Sequence, residues 1–354
     1  MNVVQDGPGQ APPPLPTTDA APTVVTDRLD ADASGELPRI LPLPAELRDE
    51  GGVVWWSSTD CRAGGLTLSS GAVTRIAGEY CRIWPAPKGD AAFAVTARRA
   101  AALEGRGLAY VSLDGDRRVV FHTSGFIGSE VAWSPDGAQA AVCIGTRDGT
   151  VVDVYRAVPG GRDGIPQACT PAWLGDGRLA VSSAGPVSIE VGGRLVLGPD
   201  EARELLPSIG KGERRAVSAL GASGDRLVVA LVAASDVRLL PSSAAVAVIG
   251  GDGQIEFAAR LPRDVLPAAI GLAPDGSAFW YYEAGEARAV IVSIPGGRRV
   301  PVFDARWVAW SPDGSHIATA TDEEIVLRRW PDGREVAVIP VVAADVSWTL
   351  APSA

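Results

Sequence analysis

The chain has 354 residues, a net charge of −10 and a hydrophobic content of 46%. This length and apolar content suffice for a sizeable buried core, and the acidic balance argues against binding to nucleic acid or to an anionic membrane surface. With 41 Gly and 28 Pro, the composition is typical of a fold built from many tight turns.

The first 50 residues differ from the rest of the chain in composition. They are rich in acidic residues and proline, and the run Pro12–Pro16 favours an extended, unpaired backbone. We therefore predict a disordered acidic, proline-rich tail or stalk over 1–50 and one folded domain over 51–354. A docking role for Pro12–Pro16 is the alternative, and the more apolar Leu37–Leu47 is a candidate to lie along the outside of the domain.

No signal peptide is visible at the start of this sequence. Met1 is followed by polar and acidic residues rather than by the basic and then apolar run of a signal peptide. No uncharged run reaches the roughly 18 residues of a membrane span. Two interpretations stay open: a cytoplasmic protein, or an extracytoplasmic one (periplasmic or at the cell surface) whose N-terminal anchor is absent from this chain.

A tight-turn pattern recurs in the folded part at intervals of 38 to 52 residues. Trp133–Gly137 and Trp310–Gly314 both read Trp-Ser-Pro-Asp-Gly, and Trp173–Gly177, Leu220–Gly224 and Leu272–Gly276 keep the frame with substitutions. Proline presets φ for the second turn position, and glycine takes the left-handed position that closes a β-hairpin. The glycines to which we assign a structural turn role are Gly137, Gly177, Gly276 and Gly314. The aspartates that we assign to the turns, and not to a metal or acid–base site, are Asp136, Asp176, Asp275 and Asp313.

A second series of glycine-bearing turns follows these hairpins, with two strand-like runs between paired turns. Each unit therefore reads as four strands joined by a tight turn, a looser loop and a glycine turn, which is the blade of a β-propeller. Helical periodicity is nearly absent; the one good candidate is Pro199–Leu206, with proline first and acids in its opening turn. The predicted fold class is all-β.

Counting these units predicts seven blades, with six and eight as alternatives. Six blades begin near Cys81, Ser129, Thr170, Arg215, Ala268 and Arg306. The seventh is divided between the ends of the chain, because the runs that begin at Val53 lack an innermost strand and Asp345–Trp348 lacks partners. Pairing Asp345–Trp348 with Val53–Ser57 would close the ring and cover the exposed strand edges.

The four cysteines fall into two pairs with equivalent placement in this scheme. Cys61 and Cys143 belong to or follow the second strand of a blade, whereas Cys81 and Cys169 open the first strand of the next blade. This phasing predicts the disulfides Cys61–Cys81 and Cys143–Cys169, which favour an oxidising compartment. The alternative is four unrelated buried thiols in a reducing cytoplasm. No pair has the spacing of a metal site, so no metal is predicted.

Catalytic motifs and cofactor motifs are not found in the sequence. Both histidines, His122 and His316, fall in strand runs and are assigned structural roles. Charged residues of the innermost strands remain, since packing between blades does not account for them; they either pair across the channel or form a ligand- or partner-binding mouth. These channel-mouth candidates are Glu130, Arg306, Asp345, Arg82 and Arg215.

The Trp-Ser-Pro-Asp-Gly pattern resembles the WD40-like PD40 repeat of TolB-type propellers, over roughly residues 50 to 354. The resemblance implies a β-propeller of a bacterial extracytoplasmic protein. Two features depart from it: the Trp-Asp dipeptide of eukaryotic WD40 repeats does not occur, and the first 50 residues leave no room for the α/β domain that precedes the propeller in TolB. A TolB-type partner is therefore only weakly implied.

Two function classes follow from these observations. The first is a non-catalytic scaffold, expected to be a monomer, that binds a protein, a ligand or a cell-envelope partner. The second is a channel-mouth lyase or glycosidase that uses paired carboxylates such as Glu130 and Asp345 as acid and base. A retaining pair would need its carboxyl groups ~5 Å apart, and an inverting pair roughly 6.5–9.5 Å.

Overall fold

The computed structural model describes residues 23–24, 43–76, 80–96, 108–112, 118–121, 126–146, 149–156, 162–183, 187–235, 241–262, 265, 267–283, 286, 288–302 and 305–350. The chain divides into two compact units. One unit is centred on Ile127–Phe303, and the other contains Pro13–Phe126 and Asp304–Ala354.

The second unit contributes elements from both ends of the chain. Its first elements are β1 (Thr23–Val24), α1 (Ala45–Glu50), β2 (Val53–Ser57), β3 (Ala63–Thr67), β4 (Ala72–Ile76), β5 (Tyr80–Pro85), β6 (Ala91–Thr96), β7 (Leu108–Ser112) and β8 (Arg118–Phe121). The following sixteen strands and one helix are β9 (Phe126–Trp133), β10 (Gln139–Thr146), β11 (Gly149–Arg156), β12 (Arg162–Pro166), β13 (Ala168–Trp173), β14 (Leu179–Ser183), β15 (Ile189–Val191), β16 (Arg194–Leu197), α2 (Pro199–Leu205), β17 (Arg214–Ser223), β18 (Arg226–Ala234), β19 (Ala244–Gly250), β20 (Ile255–Arg260), β21 (Pro267–Leu272), β22 (Ala278–Glu283), β23 (Arg288–Ser293) and β24 (Arg299–Val302). The last strands are β25 (Trp307–Trp310), β26 (His316–Ala320), β27 (Ile325–Arg329), β28 (Glu335–Ile339) and β29 (Asp345–Thr349).

These strands form a seven-bladed β-propeller of four-stranded antiparallel blades. Blade 1 has the order β29-β2-β3-β4, and blades 2 to 7 take four consecutive strands each, from β5–β8 to β25–β28. Blade 7 also carries β1, which pairs with β28 in parallel. The predicted fold class and blade number are confirmed, and the alternatives of six and eight blades are wrong.

Blade 1 is closed by the two ends of the folded chain, as predicted. β29 lies antiparallel to β2, with Asp345 opposite Ser57 and Trp348 opposite Val54. The register places Trp55 close to Thr349, whose hydroxyl accepts a hydrogen bond from the Trp55 Nε1 at 3.0 Å. The closure therefore combines a backbone ladder with a buried side-chain hydrogen bond.

The tight turns have the backbone that their sequence pattern requires. The turn glycines have φ values of 70° at Gly137, 84° at Gly177, 71° at Gly276 and 77° at Gly314. In the last turn, the Asp313 carboxylate accepts hydrogen bonds from the Ser311 hydroxyl and from the Ser315 backbone N–H, both at 2.8 Å. The repeated aspartates of the described turns thus hold their own hairpins together.

We expect Gly314→Ala to destabilise the protein by about 1–2 kcal/mol, because a Cβ is strained in the left-handed region. Gly296→Ala is the matched control, since Gly296 is not in that region and its Cβ would find nothing nearer than Ser293 Oγ at 3.7 Å. Denaturant unfolding of both variants measures the difference. If both variants lost the same free energy of unfolding, the left-handed backbone of Gly314 would not be the cause of the loss.

Helix α1 belongs to the stretch assigned to the tail from sequence. Leu43 and Leu47 are 2% and 0% exposed and join a core cluster with Ile339 and Trp348. At the end of the helix, the Glu50 carboxylate accepts a hydrogen bond from Ser315 Oγ at 2.8 Å. Tertiary packing thus holds this short helix, and β1 is a second described element within 1–50. The rest of 1–50, apart from 23–24, lies outside the described residues.

The other local predictions concern one helix and the histidines. Helix α2 begins with Pro199 at its first turn, and the Glu201 side chain caps the Gly198 N–H at 2.9 Å. His316 is 5% exposed, and its Nδ1 lies 2.7 Å from Ser315 Oγ. The predicted helix is therefore present and His316 has a structural setting, whereas His122 lies outside the described residues.

Among the described helices, none has the length and apolar character that a membrane span requires.

Both predicted disulfides are confirmed. Cys61 in the β2–β3 loop is bonded to Cys81 in β5, which joins blade 1 to blade 2. Cys143 in β10 is bonded to Cys169 in β13, which joins blade 3 to blade 4. Each bond thus connects the second strand of a blade, or the loop that follows it, to the innermost strand of the next blade. The same arrangement occurs once in each compact unit.

Candidate functional site

The structure brings together two of the five channel-mouth candidates. Arg82 lies in β5 and Asp345 begins β29, the innermost strands of blades 2 and 1. Their side chains form an ion pair, with Arg82 Nε 3.3 Å from Asp345 Oδ2. Both strands belong to the same compact unit, and β29 contacts β5 as well as β25.

The remaining candidates have other surroundings. Arg306 precedes β25 and forms an ion pair at 2.6 Å with Asp322, and both side chains are exposed. Arg215 in β17 donates from Nε to the Leu206 carbonyl oxygen at 2.7 Å. The Glu130 side chain lies outside what the structure describes. A binding role for these three residues, and the paired-carboxylate enzyme that needs Glu130, stay predictions.

Two tryptophans flank the Arg82 guanidinium. Its Cζ atom lies 4.9 Å from the ring centroid of Trp84 and 4.6 Å from that of Trp307. Arg82 and Trp84 are two positions apart in β5, so their side chains leave the same face of the strand. Each such cation–π contact stabilises a partly desolvated guanidinium by about 0.5–2 kcal/mol. The two rings therefore hold the guanidinium in place while 22% of the Arg82 side chain remains exposed.

Asp345 is fixed from its other side by Ser57. Its Oδ1 accepts hydrogen bonds from the Ser57 hydroxyl at 2.5 Å and from the Ser57 N–H at 3.1 Å. The Asp345 residue is only 6% exposed, and this burial raises the pKa of its carboxyl group to about 6, although Arg82 and Ser57 act in the opposite direction. The site thus contains a carboxyl group that changes charge near neutral pH beside a permanently charged guanidinium.

Ser57, Trp84 and Trp307 are the residues that sequence reasoning missed. Trp84 could have been found, because strand alternation places it beside Arg82 on one face of β5. Trp307 follows Arg306, the residue selected from sequence, and β25 begins at Trp307. Only charged residues of the innermost strands are candidates from sequence, so neither tryptophan was included.

A second buried polar cluster lies in blade 6. The Glu283 side chain is 2% exposed, and its carboxylate contacts Arg288 Nε at 2.9 Å, Arg299 Nη2 at 2.5 Å and the Tyr281 hydroxyl at 2.9 Å. Burial raises the pKa of Tyr281, which keeps this hydroxyl a donor. The partners compensate the buried charge, so the cluster has a structural role.

Within the described ranges, no three His, Cys, Asp or Glu side chains are grouped to hold a metal ion.

Asp345 should make stability depend on pH. Its pKa is raised on folding, so the folded state binds the proton more tightly. Its contribution is therefore fully present below about pH 4 and is lost as the pH rises through about 6. We expect wild type to lose about 3 kcal/mol over this range relative to Asp345→Asn, at 1.36 kcal/mol per pKa unit.

Urea unfolding of both proteins at a series of pH values measures this difference. Asp322→Asn is the control, because it removes one negative charge from an exposed ion pair in the same unit. If wild type and Asp345→Asn showed parallel pH dependence, the carboxyl group would not titrate in this range.

No protein-family model and no curated protein matches this sequence. Among solved structures, hydrazine synthase of Kuenenia stuttgartiensis is 15% identical, with 77% of this chain and 90% of that chain covered and a TM-score of 0.52. The Cps50 (Swd1) β-propeller domain of Myceliophteria thermophila is 14% identical, with 77% and 91% covered and a TM-score of 0.50. TolB of Acinetobacter baumannii is 13% identical, with 86% and 68% covered and a TM-score of 0.49. At these identities the likeness concerns the fold alone, and membership of the PD40 repeat family stays a prediction.

Proposed function

We propose that this propeller is a non-catalytic binding scaffold that acts in an extracytoplasmic, oxidising compartment. Its binding site is formed by the innermost strands of blades 1, 2 and 7, around Arg82, Asp345 and Trp307. The observation that carries the proposal is the Arg82 side chain, whose guanidinium is held between two indole rings while 22% of the side chain is exposed. Arginine and tryptophan are the residue types that dominate binding surfaces.

The compartment is inferred from the cysteines. All four are engaged in disulfides, and both bonds occupy equivalent positions between neighbouring blades. Disulfides persist in oxidising compartments and are rare in a reducing cytoplasm. A protein or another component of the cell envelope is the partner class that fits this location.

The proposal is tested by capture from cell-envelope extracts on the immobilised full chain. Arg82→Gln removes the charge at the site, and Arg178→Gln is the matched control because Arg178 pairs with Asp176 at a tight turn. We expect molecules that wild type and Arg178→Gln retain to be lost from Arg82→Gln. Equal retention by all three proteins would contradict a binding site at Arg82.

A further inference from the structure

The Arg82 side chain is more accessible to solvent than that of Asp345. The Arg82 side chain is 22% exposed, whereas that of Asp345 is 8% exposed. Their contact of 3.3 Å is also longer than the roughly 2.7–2.9 Å of a strong charge-assisted hydrogen bond. An anion from solvent can therefore compete with the Asp345 carboxylate for the guanidinium.

Protonation of Asp345 would change its charge and leave its position unchanged. Both hydrogen bonds from Ser57 reach Oδ1, whereas Arg82 faces Oδ2. A proton on Oδ2 is compatible with both Ser57 contacts, since Oδ1 remains an acceptor. It removes the negative charge that competes with an external anion.

The elements packed against Asp345 supply few other charges. β2 and β25 carry no titratable side chain, and β5 carries Tyr80 and Arg82. β26 carries His316, and its ring centroid lies 6.3 Å from that of Trp348. Trp348 is three residues beyond Asp345 in β29, so His316 faces another part of the strand. Arg82 is accordingly the charge that lowers the pKa of Asp345, against the larger effect of burial.

We propose that Arg82 binds the carboxylate of an external ligand and that Asp345 takes up one proton as this ligand binds. The inference rests on the proposed function and specifies the ligand class of the same site. The ligand carboxylate replaces Asp345 as the counter-ion of Arg82, and the proton comes from solvent. The net charge of the occupied site then equals that of the empty one, so no charge is left uncompensated beside the two indole rings.

Binding at this site should strengthen as the pH falls. A ligand that requires Asp345 to be protonated, with a pKa of about 6, gains up to about thirty-fold in affinity between about pH 7.5 and about pH 5. The ligand itself must stay ionised over this range, as a peptide C-terminal carboxylate does.

Calorimetric titration of the full chain tests the proposal with three probes. They are N-acetylglycinate, a hexapeptide with a free C-terminal carboxylate, and the same hexapeptide with an amidated C-terminus. We expect the amide not to bind. Equal affinity for the two carboxylates identifies a small organic acid as sufficient, whereas a preference for the hexapeptide identifies a peptide end.

Two further measurements separate proton linkage from simple charge attraction. At about pH 6.5, titrations in two buffers of different ionisation enthalpy should reveal proton uptake by the complex. Asp345→Asn should bind with the same affinity at all pH values, and Arg82→Gln should not bind. The proposal is overturned if the affinity of wild type for the carboxylate probes does not change with pH. It is also overturned if Asp345→Asn shows the same pH dependence of affinity as wild type.

The ligand class and the scaffold function can fail separately. If no carboxylate probe binds at about pH 5 while envelope molecules are still retained in an Arg82-dependent manner, the scaffold function stands and the ligand class is wrong. If neither occurs, both are wrong.

Discussion

A chain that ends at Pro340 should not fold cooperatively, because it lacks β29. The truncation removes Val346 and Trp348, which are buried in the cluster that also contains Leu47 and Trp56. It also exposes the β2 edge along its whole length. Loss of a buried tryptophan alone costs about 3–5 kcal/mol, and a domain is stable by only about 5–15 kcal/mol. Loss of the whole strand should therefore leave little or no net stability.

Thermal unfolding followed by circular dichroism measures this effect. A chain that ends at Leu350 is the control, because it retains the complete β29 and omits only 351–354. If the chain ending at Pro340 melted at the temperature of the full chain, β29 would not be needed to complete blade 1.

Removal of each disulfide should lower the free energy of unfolding by about 3 kcal/mol, which is the effect expected for loops of this size. The bonded cysteines are 20 residues apart in one pair and 26 in the other, so the two losses should be similar. Alanine is the appropriate replacement, since Cys143 is 1% exposed and a serine hydroxyl would be buried there.

Denaturant unfolding of the paired variants Cys61→Ala/Cys81→Ala and Cys143→Ala/Cys169→Ala tests this expectation. A reducing agent should destabilise wild type and have no effect on a variant in which all four cysteines are replaced. Wild-type stability in either paired variant would show that the corresponding bond does not constrain the unfolded chain.

The blades could be predicted because their signals are local. A turn such as Trp310–Gly314 specifies its own hairpin through proline, aspartate and glycine within five residues, and the pattern recurs along the chain. Helix α1 had no comparable signal. It has six residues and no side-chain hydrogen bond at its N-terminus, and burial of Leu47 against residues nearly 300 positions away in the chain holds it.

The candidate site could be predicted only in part, for a related reason. Asp345 and Arg82 were selected as charges in innermost strands, and the structure pairs them. Ser57 is within reach of sequence reasoning, because antiparallel pairing of Val53–Ser57 with Asp345–Trp348 places it opposite Asp345, but only charged residues were considered. Trp307 carries no charge, and its approach to Arg82 from another blade has no signal in the sequence. Patterns within a strand are readable from sequence, whereas distances between blades are not.

The closure of blade 1 has a consequence for the order of folding. The hydrogen bond between Trp55 and Thr349 joins residues that are 294 positions apart, and β2 has no innermost partner until the chain has been synthesised through Thr349. Contacts of such long range form slowly, because the intervening chain must first be ordered. We therefore expect blade 1 to stay incomplete while the later blades assemble, with Trp55 and Trp56 of β2 exposed to solvent. Strands β2, β3 and β4 are thus synthesised early but reach their native pairing late.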